Sequence, residues 1–576
     1  MKNRFVVPSQ IFIVAIFVGL CYHPCMFIRI KSTPNSPRKS VQIVASVRDG
    51  NKVRQKIMRH VGVAQNDAEL AQLKDLAEFI KTQMEEEHQP QLFPADEVAK
   101  QVIAAKKMGT TRDEELTVDL KQLHETQRTI TGIHEVYGEI YQQIGFDRLW
   151  GQSSRFFARK EILKHITLAR IAQPDSKRAG VAALERDFGI KIPLTSVYRM
   201  MDNLDDKAID FIQGVALSAA QQMLGESLDV LFYDCTTLYF ESFVSDELRQ
   251  KGFSKDHKVN ETQVLLALMV TREGLPIGYE VFPGATFEGH SLAPVLTALQ
   301  RRYHLSRVVF VADRGLFSED NLQILEQSGL EYVVGAKLKT QARVIKEQIL
   351  SPDHYQELNE DTSYLTIDLE GKRKLVVSYS KKRARKDQHD RQKEIDKLKK
   401  KLNRSRKPKE FISASGYKRF LTVSDHERVE INEAAIEKAT QWDGLHGVIT
   451  NSSESVDNIL SHYHELWRIE ESFRIQKHDL KVRPVFHWNE SRIRAHLAIC
   501  FMAFCCVRHL EYRVRLQYQP LSPKVIRREL SHVQVSLLTH TQTGAVYAMP
   551  SSVSLHANKI YRVVGLKPTT TVYQVK

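Results

Sequence analysis

Three acids in this 576-residue chain sit where their chemistry would be costly to waste. Asp234 closes the apolar run Val230-Leu231-Phe232-Tyr233, and Asp313 closes Val308-Val309-Phe310-Val311-Ala312. Runs this hydrophobic read as buried strands. A carboxylate ending such a strand pays for desolvation unless it is paired or bound to a metal. Far downstream, Tyr463 to Lys477 (YHELWRIEESFRIQK) reads as one helix carrying Glu470. Two strands delivering carboxylates from their C-terminal ends, joined by a glutamate from a helix, make a cage for two divalent metal ions. Two ions held in this way stabilise the attacking and leaving oxygens of an in-line displacement, so the chemistry expected is cutting and joining of phosphodiester bonds. Taken singly, either aspartate also fits an ordinary strand-end cap on the next turn.

On an unbroken helix, Tyr463, Glu470 and Lys477 are spaced by seven and fall almost in line on one face. Glu470 would ligate metal, Lys477 would neutralise a phosphate, and Tyr463 would hydrogen-bond or stack at the strand end. Arg474 lies one turn beyond Glu470 and can pair with it. Glu471 is the rival acid, but it lies about 100° around the helix from that line. The plain alternative is a solvated helix face laced with ion pairs.

The elements needed to position these groups are legible around them. After Asp234 come Thr236 to Phe240, then strand-like Gln263 to Val270 and Pro276 to Phe282. A glycine-rich turn (PGATFEGH), a helix to about Tyr303 and the strand ending in Asp313 follow, and Tyr332 to Ala336 continues the sheet. Three sequential strands, a helix and a fourth strand give an α/β fold with the order of a ribonuclease-H-like core. Its first part is expected over 226–341 and its second over 447–518. Residues 342–446 are read as a β-rich insertion domain, with strand-like pieces at Ser363 to Leu369, Lys374 to Ser380 and Arg419 to Val423 and a charged helix near 383–404. Arg492 to Val514 is a long apolar helix that should pack on the sheet. Its centre, ICFMAFCCV, reads as core rather than membrane, because the apolar run is short and Arg508 follows it. A mixed helix–strand cap is expected over 519–576.

Upstream, residues 26–65 alternate apolar and polar side chains and read as a small β hairpin region with a basic face, turning at Asp49-Gly50-Asn51. Residues 66–225 read as a helical DNA-binding region. Within it, Ser176 to Phe188 and the helix beginning at Thr195 (TSVYRMMDNL) flank the break GIKIPL, the pattern of a helix-turn-helix. Residues 1–25 have a basic start and an apolar run of about 11 residues, too short to span a bilayer. They read as a doubtful extension ahead of a domain that opens at Met26.

Net charge is +14 and the pI about 9.2, which points to a polyanionic partner. From Lys381 to Lys409 there are 15 Lys/Arg against 4 Asp/Glu, so one element holds most of the surplus and is expected to clamp a DNA backbone. The six cysteines show no zinc-finger spacing and fit a reducing compartment; Cys505-Cys506 read as small hydrophobes. Trp467, Phe473 and Trp488 flank the glutamate and read as core more readily than as base-stacking groups. His257, His290 and His487 read as hydrogen-bonded structural residues.

The segment YHELWRIEESFRIQK resembles the Tyr-x2-Arg-x3-Glu-x6-Lys signature of the DDE-type bacterial insertion-sequence transposases of the insertion-sequence-four superfamily. FYDCTTLYFE and FVADRGLFSEDNL resemble that family's first and second aspartate segments. GFSKDHK, PGATFEGH and HWNESRIRAHL are similar to its branch named insertion-sequence sixteen-thirty-four. The resemblance runs from about Met26 to near the C-terminus. One position departs: Leu466 stands where the signature has arginine, with Arg468 and Arg474 nearby. The resemblance implies that Asp234, Asp313 and Glu470 hold two Mg²⁺ ions (Mn²⁺ able to substitute), and that Tyr463, Arg474 and Lys477 contact DNA. It implies excision and strand transfer of the chain's own element without a covalent protein–DNA intermediate. It also implies terminal inverted repeats and target DNA as partners, a homodimer bridging two ends, a cytoplasmic, nucleoid-associated location and no membrane partner. A metal-dependent nuclease without strand transfer, an inactive DNA-binding relic and, if residues 1–25 are translated, a membrane-tethered protein are the rival readings.

Overall fold

The computed structural model describes residues 26–32, 39–49, 52–64, parts of 70–81, 118–225 except 152, 230–241, 244–252, 260–302, 309–316, 318–404, 418–423 and 429–575. The extension at 1–25, the Gly50-Asn51 turn, most of the helical reading over 66–117, and the loop with His257 lie outside the described residues. The chain divides into two compact units, residues 1–114 and 115–576.

In the first unit, β1 (Met26–Ser32), β2 (Lys39–Asp49) and β3 (Lys52–Ala64) form an antiparallel meander. Alternation along β2 turns Val41 and Ile43 inward, where they are buried with Ala77. The small sheet expected over 26–65 is therefore present.

The second unit opens with a strand in a stretch read as helical, β4 (Leu123–Ile130). Its charged and threonine-rich sequence carries no period-2 apolar signal. What makes it a strand is a partner some four hundred residues away, described below. Five helices follow: α1 (Gly132–Ile144), α2 (Phe157–Ala172), α3 (Lys177–Phe188), α4 (Leu194–Met201) and α5 (Asp206–Leu224). Between α3 and α4, Gly189 sits at φ +69°, the left-handed cap that lets the chain turn there.

The central sheet begins with β5 (Val230–Tyr239), β6 (Gln263–Thr271) and β7 (Pro276–Pro283). It continues through α6 (Leu292–Arg302) to β8 (Val309–Ala312), then through α7 (Glu319–Gln327) to β9 (Glu331–Gly335). These strands lie in the order β7-β6-β5-β8-β9, with β6 antiparallel and β8 and β9 parallel to β5. That is the arrangement of a ribonuclease-H-like core. Asp234 does not close its strand: β5 runs five residues further, because Thr236, Thr237 and Leu238 continue the β-favouring sequence against β6.

The segment read as an insertion domain divides. After α8 (Arg343–Ile349), the strands β10 (Gln356–Asn359), β11 (Thr362–Asp368) and β12 (Lys374–Ser380) prolong the same nine-stranded sheet rather than folding apart. Leu375, Val376 and Val377 are all buried, the sign of a strand covered on both faces. Helix α9 (Lys381–Arg404), the two-stranded ribbon β13 (Leu421–Val423) and β14 (Val429–Ile431), and α10 (Glu433–Thr440) lie outside the sheet. β15 (Leu445–Thr450) then returns between β9 and β12.

Beyond it come α11 (Val456–His464), α12 (Trp467–Arg474), a π-turn over Ile475–Asp479, and α13 (Glu490–Gln517). Helix α13 is long and apolar enough to cross a membrane by composition, yet 94% of its most apolar window is buried inside the protein. It packs against α1, α2, α4, α5 and β7. The C-terminal cap consists of α14 (Pro523–Ser531), β16 (Gln534–His540), β17 (Val546–Pro550), α15 (Leu555–Val563) and β18 (Tyr573–Val575). β16 pairs with β4, closing a four-stranded sheet that ties the two ends of this unit together.

Candidate active site

β5 and β8 pair in parallel, with Tyr233 opposite Ala312, so Asp234 and Asp313 each follow the last paired residue on neighbouring strands. Adjacent strands lie about 4.8 Å apart. The two aspartates therefore stand side by side, Asp234 half-buried and Asp313 exposed. Each is pinned by the amide after it: the Cys235 N–H donates to Asp234 Oδ1 at 2.7 Å, and the Arg314 N–H to Asp313 Oδ1 at 2.7 Å. Tyr463, at the end of α11, donates its hydroxyl to the same Asp313 oxygen at 3.2 Å. Burial and the Asp313 charge push the Tyr463 pKa up, which keeps the donor protonated. A β-carbon on Gly335 would lie 2.4 Å from the Tyr463 hydroxyl, so the approach of tyrosine to aspartate depends on that glycine.

Two features of this site left little trace in the sequence. His446 on β15 packs its ring on Tyr463, with centroids 4.7 Å apart. Burial first, then the Arg383 charge, lowers its pKa to about 4, so the ring is neutral at pH 7. Behind Asp234, on the opposite face of β5, Tyr233 and Cys235 meet Ser291. The Tyr233 and Ser291 hydroxyls are 2.7 Å apart, and the Cys235 thiol is 3.2 Å from Ser291 Oγ. Ser291 in turn donates to the Glu288 carbonyl at 2.5 Å. Burial pushes the Cys235 thiol up to about 12, so it is an uncharged hydrogen-bonding group. This network anchors the glycine-rich turn beside the aspartates. A β-carbon on Gly315 would lie 3.5 Å from Glu288 Oε2. The turn's composition was the only signal that pointed to it.

The glutamate segment departs from the single helix expected. α11 ends at His464, α12 begins at Trp467, and the π-turn starts at Ile475. Arg272, one residue past β6, bonds Glu465 at 2.7 and 3.2 Å beside the break. Tyr463, Glu470 and Lys477 thus fall in α11, α12 and the π-turn, while the joint residues Glu465, Leu466 and Ile475 keep right-handed helical backbone angles. Glu470 is exposed in the first turn of α12. Its neighbours Ile469 and Phe473 are buried in the core that includes Phe232 of β5. Lys477 is half-buried in the π-turn. Arg474 pairs with Glu471 at 3.4 Å and Asp479 at 3.9 Å, not with Glu470. Glu471 also meets Arg508 at 3.3 Å, a side chain only 3% exposed that also bonds Glu511 and the Gly274 carbonyl. That buried ion-pair network occupies the rival acid.

Among the described residues, no three His, Cys, Asp or Glu side chains are gathered closely enough to hold a metal ion. The structure brings together Asp234, Asp313 and Tyr463. Carboxylate oxygens are the donors that hard divalent cations take, so the aspartate pair fits such an ion. Of the other residues singled out, Phe473 is buried as expected. Trp467 and Trp488 are 49% and 63% exposed, so they are not core; Arg468 and Arg249 stack on their faces instead. His487 lies against Tyr198 and His496, and His290 against Phe287.

Residues 226–506 match the family model described as "Transposase DDE domain". Among solved structures, the chain is similar to a piggyBac transposase synaptic complex with hairpin DNA. There identity is 10% over 70% of this chain and 79% of that one, with a TM-score of 0.36. It is also similar to a Mos1 transposase paired-end complex with the left transposon end, at 15% identity over 32% of this chain and 60% of that one, with a TM-score of 0.14. No curated protein matches the chain.

Proposed function

We propose that the region matched as a transposase DDE domain is a working recombinase that cuts and joins DNA at the ends of its own insertion sequence. The observation that carries this reading is the pairing of Asp234 and Asp313 on adjacent parallel strands inside the matched region. The sequence signatures favour the insertion-sequence-four superfamily and its sixteen-thirty-four branch. Asp234, Asp313 and Glu470 are the metal ligands in this reading. Two Mg²⁺ ions, or Mn²⁺, would supply activation of a water or 3′-hydroxyl and stabilisation of the leaving oxygen. The chain's own residues do the positioning. Tyr463 orients the Asp313 carboxylate, neutral His446 holds the tyrosine ring, and the Cys235 N–H fixes the Asp234 carboxylate. Arg314 and Arg383 place positive charge near Tyr463, and this supplies at the scissile phosphate what Leu466 lacks. The partners are terminal inverted repeats and target DNA, bridged by a homodimer at the nucleoid.

The test is cleavage of labelled element ends in Mg²⁺, with Asp234→Asn, Asp313→Asn and Glu470→Gln compared with the native chain. Each substitution is expected to abolish cleavage and leave end binding intact. A folded, end-binding Glu470→Gln protein that cuts normally removes Glu470 as the third acid. One observation favours a second reading, an inactive DNA-binding relic: Leu466 is half-buried on the core where the family signature has arginine. A native protein that binds ends and never cuts them would select it.

A further inference from the structure

Helix α9 starts at the carboxylate site and carries positive charge away from it. β12 ends at Ser380 and α9 begins at Lys381 with no loop between them. Two residues earlier, Ser378 stands opposite His446, whose ring packs on Tyr463, whose hydroxyl bonds Asp313. The first turn of α9 is therefore tied to the aspartate pair through three successive contacts. Arg383, in that turn, is one of the charges felt by both His446 and Tyr463.

The faces of α9 are sorted. Ile395 and Leu398 are buried, Arg391 pairs with Asp443, and Glu394 pairs with Arg419. Three of its four acids are bonded within the protein, since Asp387 accepts from the Gly444 N–H and Asp396 from Gln392. On the outer side, Lys382, Lys386, Lys393, Lys397 and Lys400 are exposed and form no ion pair with described residues. Their spacings of 4, 7, 4 and 3 return them to one face. The stripe spans 18 residues, about 27 Å of helix axis, or about eight base pairs at 3.4 Å each. Asp387 and Glu394 are half-buried and engaged within the protein; Asp390 and Asp396 stay exposed beside the row, so five lysines against two acids leave this face with a surplus of positive charge. A regularly charged rigid rod is the partner that such a row complements.

We propose that α9 is a backbone track for the duplex that runs on from the scissile phosphate, binding DNA by its phosphates without reading its sequence. The proposal rests on the transposase reading for the identity of the site at its root.

The experiment uses the full chain with the five lysines changed to glutamine, and a counterpart with the same five changed to arginine. Each phosphate contact contributes about 0.9 to the slope of log affinity against log salt. The glutamine protein is expected to lose about 4.5 from that slope, equally for any duplex sequence. Its hydroxyl-radical footprint should shorten by about eight base pairs on one side of the cut. The arginine protein should keep the native slope and footprint. An unchanged slope in a folded glutamine protein overturns the proposal, as does a loss shared by the arginine protein. If the native chain fails to cut element ends while the slopes still differ, the catalytic reading fails and the track stands.

Discussion

Gly335→Ala is the smallest change that separates the aspartate site from the fold around it. The added carbon would lie 2.4 Å from the Tyr463 hydroxyl and 2.9 Å from the Arg314 amide nitrogen, where ordinary contact begins at 3.4 Å. The hydroxyl must yield by about 1 Å (3.4 − 2.4 Å). That displacement breaks its 3.2 Å bond to Asp313 and presses on the amide that pins the same carboxylate. Overpacking of this kind costs about 1–3 kcal/mol. A misplacement of about 1 Å at a reacting centre costs about 100-fold in rate. The expected result is cleavage reduced about 100-fold with a modest fall in melting temperature and unchanged end binding. Tyr463→Phe isolates the hydrogen bond, and because Asp313 is exposed we expect only about a tenfold loss, or 1.4 kcal/mol, at the low end for a bond to a charged group. The double variant decides the argument. Without the hydroxyl, the nearest ring atom is at 3.1 Å, so Tyr463→Phe should restore part of the melting temperature lost by Gly335→Ala. A Gly335→Ala protein that melts and cuts like the native chain refutes the reasoning, as does a double variant that recovers nothing.

Arg508→Leu should be severely destabilising, by about 3–5 kcal/mol, because it leaves Glu471 and the largely buried Glu511 without their shared cation; a lowered melting temperature and poor soluble yield check it. Six described histidines have pKa values lowered mainly by burial: His134 and His509 to about 3, His446 and His487 to about 4, and His165 and His496 in the same direction. Their unfolded forms titrate near 6.5, so between that pH and about 4 the unfolded chain binds more protons. Stability should therefore be full above about pH 6.5 and fall as the pH drops toward 4, and a melting-temperature series with His446→Gln should show a shallower fall.

What could be read from the chain, and what could not, divides by the range of the forces involved. Asp234 and Asp313 were legible because strand burial is written locally, in the unbroken apolar runs before them. Even there, the end of the strand was not: Thr236 to Tyr239 belong to β5 because β6 pairs with them. β4 reads as helix until β16 supplies the hydrogen bonds that its own sequence does not announce. The strands β10 to β12 look self-contained until β15 returns beside them. The glutamate segment shows the same rule most sharply. Its local sequence favours one helix, and a seven-residue spacing on one helix does put three side chains in line. A two-residue joint at Glu465-Leu466 and a π-turn that ends the next helix eight residues after it begins divide that helix, and Arg272, 193 residues away in sequence, bonds Glu465 at the first joint. The two aspartates are set by a sheet whose pairing repeats along every strand, so no single side chain governs them. Glu470 rides on a short helix between two irregular joints, and its direction is decided by whichever contacts hold those joints.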